Sequence, residues 1–498
     1  MDRNQIYQDI FGPIHENAER LRQELKMQRL ASKPNTLLLR KLEELKERKI
    51  REKEAERIKQ GLSNQILTPP TPSSPEIMHP FHYQDTHHST ENNNNTTFTI
   101  DDIITRPIAG PTSHPLIRPY SRGEDINQDY RDYLRASRIN GYNATPVLGE
   151  DANFYLGLRA IASGMSTLFE GKSRSGKTLL LNRIKDLLPS FVEIGGASNN
   201  ALLDRADEIN GSGFVIYSEY QSVVDGNPRI KEATKCISED ADYHFTSLGA
   251  TKTLNGNTII LGTSADENKK TQNRDVEVSG RFIILRTGSS QEKIRMICDY
   301  QDGIADGTLD EIVFSGDRLN RLKDHYISIM KNRGTPIENP FAKAYSEALP
   351  ETQKSLYYRT LYHGLINGST RFDAHNRIEK EERLFTNLSD IFLVHHYYHN
   401  AYCDTLKRLS TQSYQAIIKS NEHQAEELKA AYEHEIGLID KIKTKIVDWE
   451  KIWRSGLAHM ESRNPGLAEE WTALQSKDGY VQITDPIKNE SITLCEVR

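Results

Sequence analysis

Eight consecutive residues, Gly171, Lys172, Ser173, Arg174, Ser175, Gly176, Lys177 and Thr178, carry the spacing G-x-x-x-x-G-K-T. Glycines at the two ends let backbone N–H groups turn inward around phosphate oxygens. A helix beginning at the loop points its positive end at the same anion. In that pattern Lys177 reaches the outer phosphates of a nucleotide, and the Thr178 hydroxyl is a ligand for Mg²⁺. Further along, the apolar run Gly213–Tyr217 ends in Ser218-Glu219. A carboxylate at the end of a buried strand can orient an attacking water. Glu219 is therefore the candidate general base, and Ser218 the candidate for a weaker or water-mediated metal contact.

These residues need a scaffold. Met165–Phe169 is an apolar run that reads as the strand entering the loop, and Leu179–Leu188 is a helical run leaving it, stopped by Pro189. Phe191–Ile194 and Gly213–Tyr217 read as further strands, and Thr258–Leu261 and the Val276–Arg286 stretch as two more. Helical runs over Asp151–Ala162, Ala201–Ile209 and Arg229–Asp240 alternate with them. That alternation predicts an α/β fold with a parallel sheet covered by helices on both faces. Phe245–Leu254 reads as a hairpin turning near Gly249.

The whole chain sets limits. It has 498 residues, 36% of them hydrophobic, and a net charge of −6. Nucleic-acid contacts must therefore come from local basic patches, since the overall field opposes them. Its four cysteines, Cys236, Cys298, Cys403 and Cys495, lie far apart, which argues against a zinc ribbon or a disulfide framework and for a reducing compartment. No apolar run is long enough to cross a membrane, and the first residues do not form a signal peptide. A cytoplasmic location follows, or the nucleus or a site of viral replication in a eukaryotic host.

Residues 1–62 are charged and helix-prone. The heptad steps Ile14, Ala18, Leu21, Leu25 and Leu38, Leu42, Leu45 fit a short coiled coil that binds a protein partner, or equally a solvated charged helix. Residues 63–125 read as a disordered linker rich in proline, serine and asparagine. Its His79, His82, His87 and His88 read as solvated rather than metal-bound.

Five blocks, in order, resemble an AAA+ ATPase, in particular its minichromosome maintenance (replicative helicase) branch. They are the phosphate loop; Gly195-Gly196-Ala197-Ser198-Asn199-Asn200; Ser218-Glu219; the helix at Ile230 leading to the hairpin and the strand Thr258–Leu261; and Ser279-Gly280-Arg281-Phe282. The resemblance spans residues 164–286. It implies a P-loop ATPase core over 126–288 with a helical lid over 289–385, Mg²⁺ and ATP as cofactors, and a homo-oligomeric ring. It also implies that Arg281 is a finger reaching the neighbouring subunit's nucleotide, that Thr263 or Ser264 is a sensor, that Arg359 is a second sensor, and that Lys252 is a pore-facing DNA contact. Ser218 stands where the family carries an aspartate, and the family's zinc-bearing N-terminal domain has no counterpart.

The remaining region, 386–498, reads as helical, with long runs over Asp390–Tyr414 and Ala425–Trp453. It closes in a hairpin over Gly479–Leu494 that is either a winged-helix element or a plain cap. The functional expectation is an ATP-hydrolysing ring motor, a DNA helicase or translocase of a replication system. The alternatives are a protein-remodelling ATPase of the chaperone type and a weakly hydrolysing nucleotide switch.

Overall fold

The computed structural model describes residues 120–497, apart from 196–200, 225–226, 248–249, 266–280, 353 and 421–424. The expected N-terminal helices and most of the linker lie outside the described residues.

Five strands form one all-parallel sheet: β1 (Thr167–Gly171), β2 (Val192–Ile194), β3 (Phe214–Tyr217), β4 (Ile259–Ala265) and β5 (Ile283–Arg286). Their order is β2-β3-β4-β1-β5. Side chains alternate between the two faces of a strand, and the sequence exploits this. Phe169, Ile216, Ile259, Leu261, Ile283 and Leu285 enter one apolar cluster. Their neighbours Leu168, Val215, Ile260 and Ile284 enter a second cluster on the other face. Both faces are covered, so β3, β4 and β5 each carry an unbroken apolar run, as buried parallel strands do.

The helices that matter for the site are α1 (Ile126–Arg135), α2 (Asp151–Ala162), α3 (Lys177–Lys185), α4 (Pro228–Ile237), α5 (Gln291–Asp306), α6 (Gly316–Lys331), α7 (Ser355–Phe372), α8 (Leu388–Ser420) and α9 (Ala425–Lys443). Helix α4 starts with Pro228 at its first position, where a missing N–H costs nothing. Helix α7 closes on α2 because Gly368 has no side chain; a Cβ there would collide with the Arg159 carbonyl.

The larger apolar cluster runs from Tyr120 through Phe169, Tyr362 and Trp471 to Ile487. Residues on both sides of 288/289 and 385/386 belong to that one cluster. Residues 425–453 were expected to form one helix but are two, with a break over 444–448. The cause is local: the Asp448 carboxylate accepts the Lys451 N–H at 3.0 Å and starts a new helix at Trp449. Helices α8 and α9 pair antiparallel through Lys443–Asp404 (2.6 Å) and Lys407–Asp440 (2.8 Å), with Tyr414 stacked on Tyr432. The chain ends in the expected hairpin, Tyr480–Asp485 against Glu490–Glu496, joined by the short strand Ser476–Lys477.

Among the described residues no helix is long and apolar enough to cross a membrane.

Candidate functional site

The loop between β1 and α3 has the geometry its two glycines predict. Gly176 sits at φ 94°, a conformation that L side chains rarely adopt, and caps the start of α3. Gly171 is required for a different reason: a Cβ there would run into both the side chain and the carbonyl of Thr287. Thr287 lies just beyond β5, and its hydroxyl also meets the Ser175 hydroxyl at 2.6 Å. The loop is thus pinned to the exit of β5 while Lys172, Ser173 and Arg174 stay exposed at its tip.

Lys177 is buried, and its Nζ donates to the carbonyls of Gly171 (2.6 Å) and Lys172 (2.7 Å). The ammonium is thereby held within the loop. Thr178, one residue on, is exposed. A loop with both glycines required by geometry, a lysine drawn into it and an exposed hydroxyl on the first helical turn fits a nucleotide's phosphates and a Mg²⁺ ion. Among the described residues no group of three or more His, Cys, Asp or Glu could hold a metal. That is compatible with Mg²⁺, which is often held by one or two protein groups plus substrate phosphates.

The strand order decides what lies beside the loop. Strand β4 stands between β1 and β3, with Gly171 paired to Ala265 and Tyr217 paired to Gly262. The residues following β3 therefore emerge beside Thr263 and Ser264, at the carboxyl ends of the strands. Such sheets bind ligands in that crevice. Glu219 Oε1 accepts the Ala265 N–H at 3.1 Å, which fixes the carboxylate against β4, the strand next to the loop strand. The sequence ends β4 at Leu261, but it continues to Ala265, so Thr263 and Ser264 are buried strand residues. The Thr263 hydroxyl donates to the Ser218 carbonyl, and Ser264 Oγ accepts from Gln221 Nε2 at 2.8 Å. Thr263 thereby ties β4 to the residue after β3, and Ser264 ties it to the short helix Tyr220–Val224 at the base of the crevice.

Other expected residues are placed differently. Ser218 turns its hydroxyl to Glu193 Oε1 (2.9 Å), on edge strand β2, which lies on the side of β3 away from β1. The hydroxyl satisfies a carboxylate there. Burial acts against ionisation of Glu193, yet hydrogen bonds from Lys185 and Ser218 hold its carboxyl below the usual range. Arg281 Nη2 pairs with Glu239 Oε1 of the same chain at 2.5 Å, with the Arg281 side chain only 11% exposed. A guanidinium this covered needs a counter-charge, and the residues just after α4 supply one.

Arg359 donates to the Ser346 carbonyl at 3.1 Å and acts electrostatically on His363 and Tyr402, which places it among the C-terminal helices. Lys252 is half-buried on the hairpin, where Tyr243–Ser247 pairs with Ala250–Leu254, and donates to the Asp204 carbonyl at 3.3 Å.

Four residues at the loop escape the sequence reading. Lys293, in the first turn of α5, donates to the carbonyls of Ser175 (2.8 Å) and Gly288 (3.1 Å) and forms an ion pair with Glu150. Glu150 is 3% exposed, and burial pushes its carboxyl above the usual range despite hydrogen bonds from Lys293 and Asn153. Asn153 bridges Glu150 to the Arg286 carbonyl. Glu170, the residue before Gly171, is also 3% exposed and lies 3.5 Å from both Arg286 and Arg408. A signal existed for Glu170 alone: it is an acid set into an otherwise apolar strand.

No protein-family model matches this chain, and no curated protein matches it.

Proposed function

We propose that this protein is an ATP-hydrolysing motor of the AAA+ type that assembles as a ring and moves nucleic acid. The observation that carries the reading is the sheet order. It brings the phosphate loop after β1, the polar residues ending β4 and Glu219 after β3 to the carboxyl ends of three adjacent strands.

Mg-ATP bound at the loop would supply the transferable phosphoryl group and the cation that offsets its charge. Lys177 would exchange its two loop carbonyls for phosphate oxygens. Thr178 would hold the metal from the first turn of α3. Glu219, anchored by the Ala265 N–H, would orient a water for in-line attack. Arg281 would leave Glu239 and approach the neighbouring subunit's nucleotide, where a guanidinium stabilises developing charge. The hairpin strands Tyr243–Ser247 and Ala250–Leu254 would meet the substrate strand.

The test is steady-state ATP hydrolysis by the full chain, with and without single-stranded DNA, across a salt series. Lys177→Ala should abolish turnover, and Glu219→Gln should retain nucleotide but not hydrolyse it. DNA stimulation that fades as salt rises supports phosphate contacts in a pore. Hydrolysis indifferent to DNA at every salt concentration would replace nucleic acid with a protein substrate. Undiminished turnover in Lys177→Ala would refute the site itself.

A further inference from the structure

Lys293 is the third residue of α5, and the helix start fixes its place: the Ser290 hydroxyl caps α5 by accepting the Lys293 N–H at 3.2 Å. Its stem runs across Gly149, where a Cβ would lie 2.9 Å from Lys293 Cγ, so the lysine passes only because residue 149 has no side chain. The ammonium then meets three acceptors: the Ser175 carbonyl (2.8 Å), the Gly288 carbonyl (3.1 Å) and the Glu150 carboxylate. An ammonium carries three N–H donors, so all of them are used. Lys293 is therefore committed to the protein itself and does not reach out to a ligand.

What Lys293 holds is the loop. Ser175 is gripped twice by the segment leaving β5: its hydroxyl meets the Thr287 hydroxyl at 2.6 Å, and its carbonyl accepts from Lys293. The second bond orients a whole peptide unit. Such units are planar and trans, so the C=O and the N–H of one unit point in opposite directions. With the Ser175 carbonyl turned to Lys293, the N–H of the same unit, which belongs to Gly176, is turned away from it. Gly176 takes up this arrangement at φ 94°, and the place its Cβ would occupy lies 3.6 Å from Lys293 Nζ.

We propose that Lys293 is a positioning residue for nucleotide binding: by holding the Ser175 carbonyl it sets the Gly176 N–H toward the phosphates. This rests on the reading of residues 171–178 as a phosphate site. Glu150 supplies the counter-charge that lets an ammonium stay buried. A plain structural ion pair is the alternative, and the two differ in one respect. The pair is broken by a change at either end, but only a change at Lys293 removes the bond to Ser175.

Equilibrium binding of Mg-ATP to the full chain, with urea unfolding of the same variants, separates them. Lys293→Met should weaken Mg-ATP by about tenfold or more, the worth of a hydrogen bond to a charged group. Glu150→Gln breaks the same pair and should weaken it by about threefold or less. Glu150→Gln combined with Lys293→Met should regain stability yet bind as weakly as Lys293→Met, and it replaces that variant should it fail to fold alone. In steady-state hydrolysis the loss should fall on KM with kcat largely kept, because the N–H acts on substrate and transition state alike. Equal affinity losses in the two single variants, or affinity that returns with stability in the double variant, would overturn the proposal. Lys177→Ala is the reference. If it abolishes binding while the Lys293 variants bind as wild type does, the positioning role alone falls. If Lys177→Ala binds Mg-ATP as wild type does, the loop reading falls and this role with it.

Discussion

Replacing Lys293 by methionine probes the link between the β1–α3 loop and α5. The Lys293 side chain is 12% exposed and that of Glu150 is 2% exposed. Removing one partner of a buried pair leaves an uncompensated charge and costs about 3–5 kcal/mol. Removing both is far cheaper, because the burial cost of two ions is recovered. Burial already outweighs Lys293 in setting the Glu150 carboxyl, which stands above its usual range with the pair intact. Lys293→Met should therefore destabilise by about 3 kcal/mol or more, and Glu150→Gln combined with Lys293→Met should recover most of that loss.

The defect also has a defined pH signature. Without Lys293 the Glu150 carboxyl rises further, so the folded state holds a proton that the unfolded chain has lost. Stability of the single variant should then climb as pH falls from neutral toward the ordinary glutamate value of about 4.3, and the defect should shrink. The assay is urea unfolding of both single variants and the double variant, followed by fluorescence at several pH values. Single variants within about 0.5 kcal/mol of wild type and additive in the double would refute a coupled buried pair.

Other perturbations follow from the same geometry. Gly176→Ala forces a side chain into φ 94° and should cost about 1–3 kcal/mol, with nucleotide affinity falling in step; equilibrium binding and melting measure both. His325 is wholly buried, with its Nε2–H on the Phe372 carbonyl and the Tyr130 hydroxyl at Nδ1; burial and neighbouring His375 lower its pKa to about 3. The unfolded chain takes up that proton first, so stability should fall as pH drops from about 6.5, by up to about 1.4 kcal/mol per unit, and His325→Gln should flatten the slope in an acid titration. Glu239→Gln should loosen Arg281 inside the protomer. If Arg281 serves a neighbour, the change should raise turnover at low protein concentration and lose its effect in Arg281→Ala; equal turnover across a dilution series would argue against that role.

Much of the sheet was legible because its signals are local. The loop motif occupies adjacent residues, and β3, β4 and β5 announce themselves by unbroken apolar runs of three or four residues. The helix start at Pro228 acts within one turn; the one at Asp448 is equally local but lies inside a run that reads as one continuous helix. The strand β4 was read too short because Thr263 and Ser264 look like loop residues until Ser218 and Gln221 satisfy their hydroxyls across the sheet.

What only the tertiary structure decided are partnerships between distant residues. Glu150 meets Lys293, Glu170 meets Arg286 and Arg408, Ser218 meets Glu193, and Arg281 meets Glu239. Chain position says that each of these is charged or polar, but not which counter-charge burial will supply. The physical reason is the order β2-β3-β4-β1-β5, which folds sequence-remote strand ends into one crevice. Leu388 N–H and Gln475 Oε1 find each other the same way, when the segment before the C-terminal hairpin packs beside the start of α8.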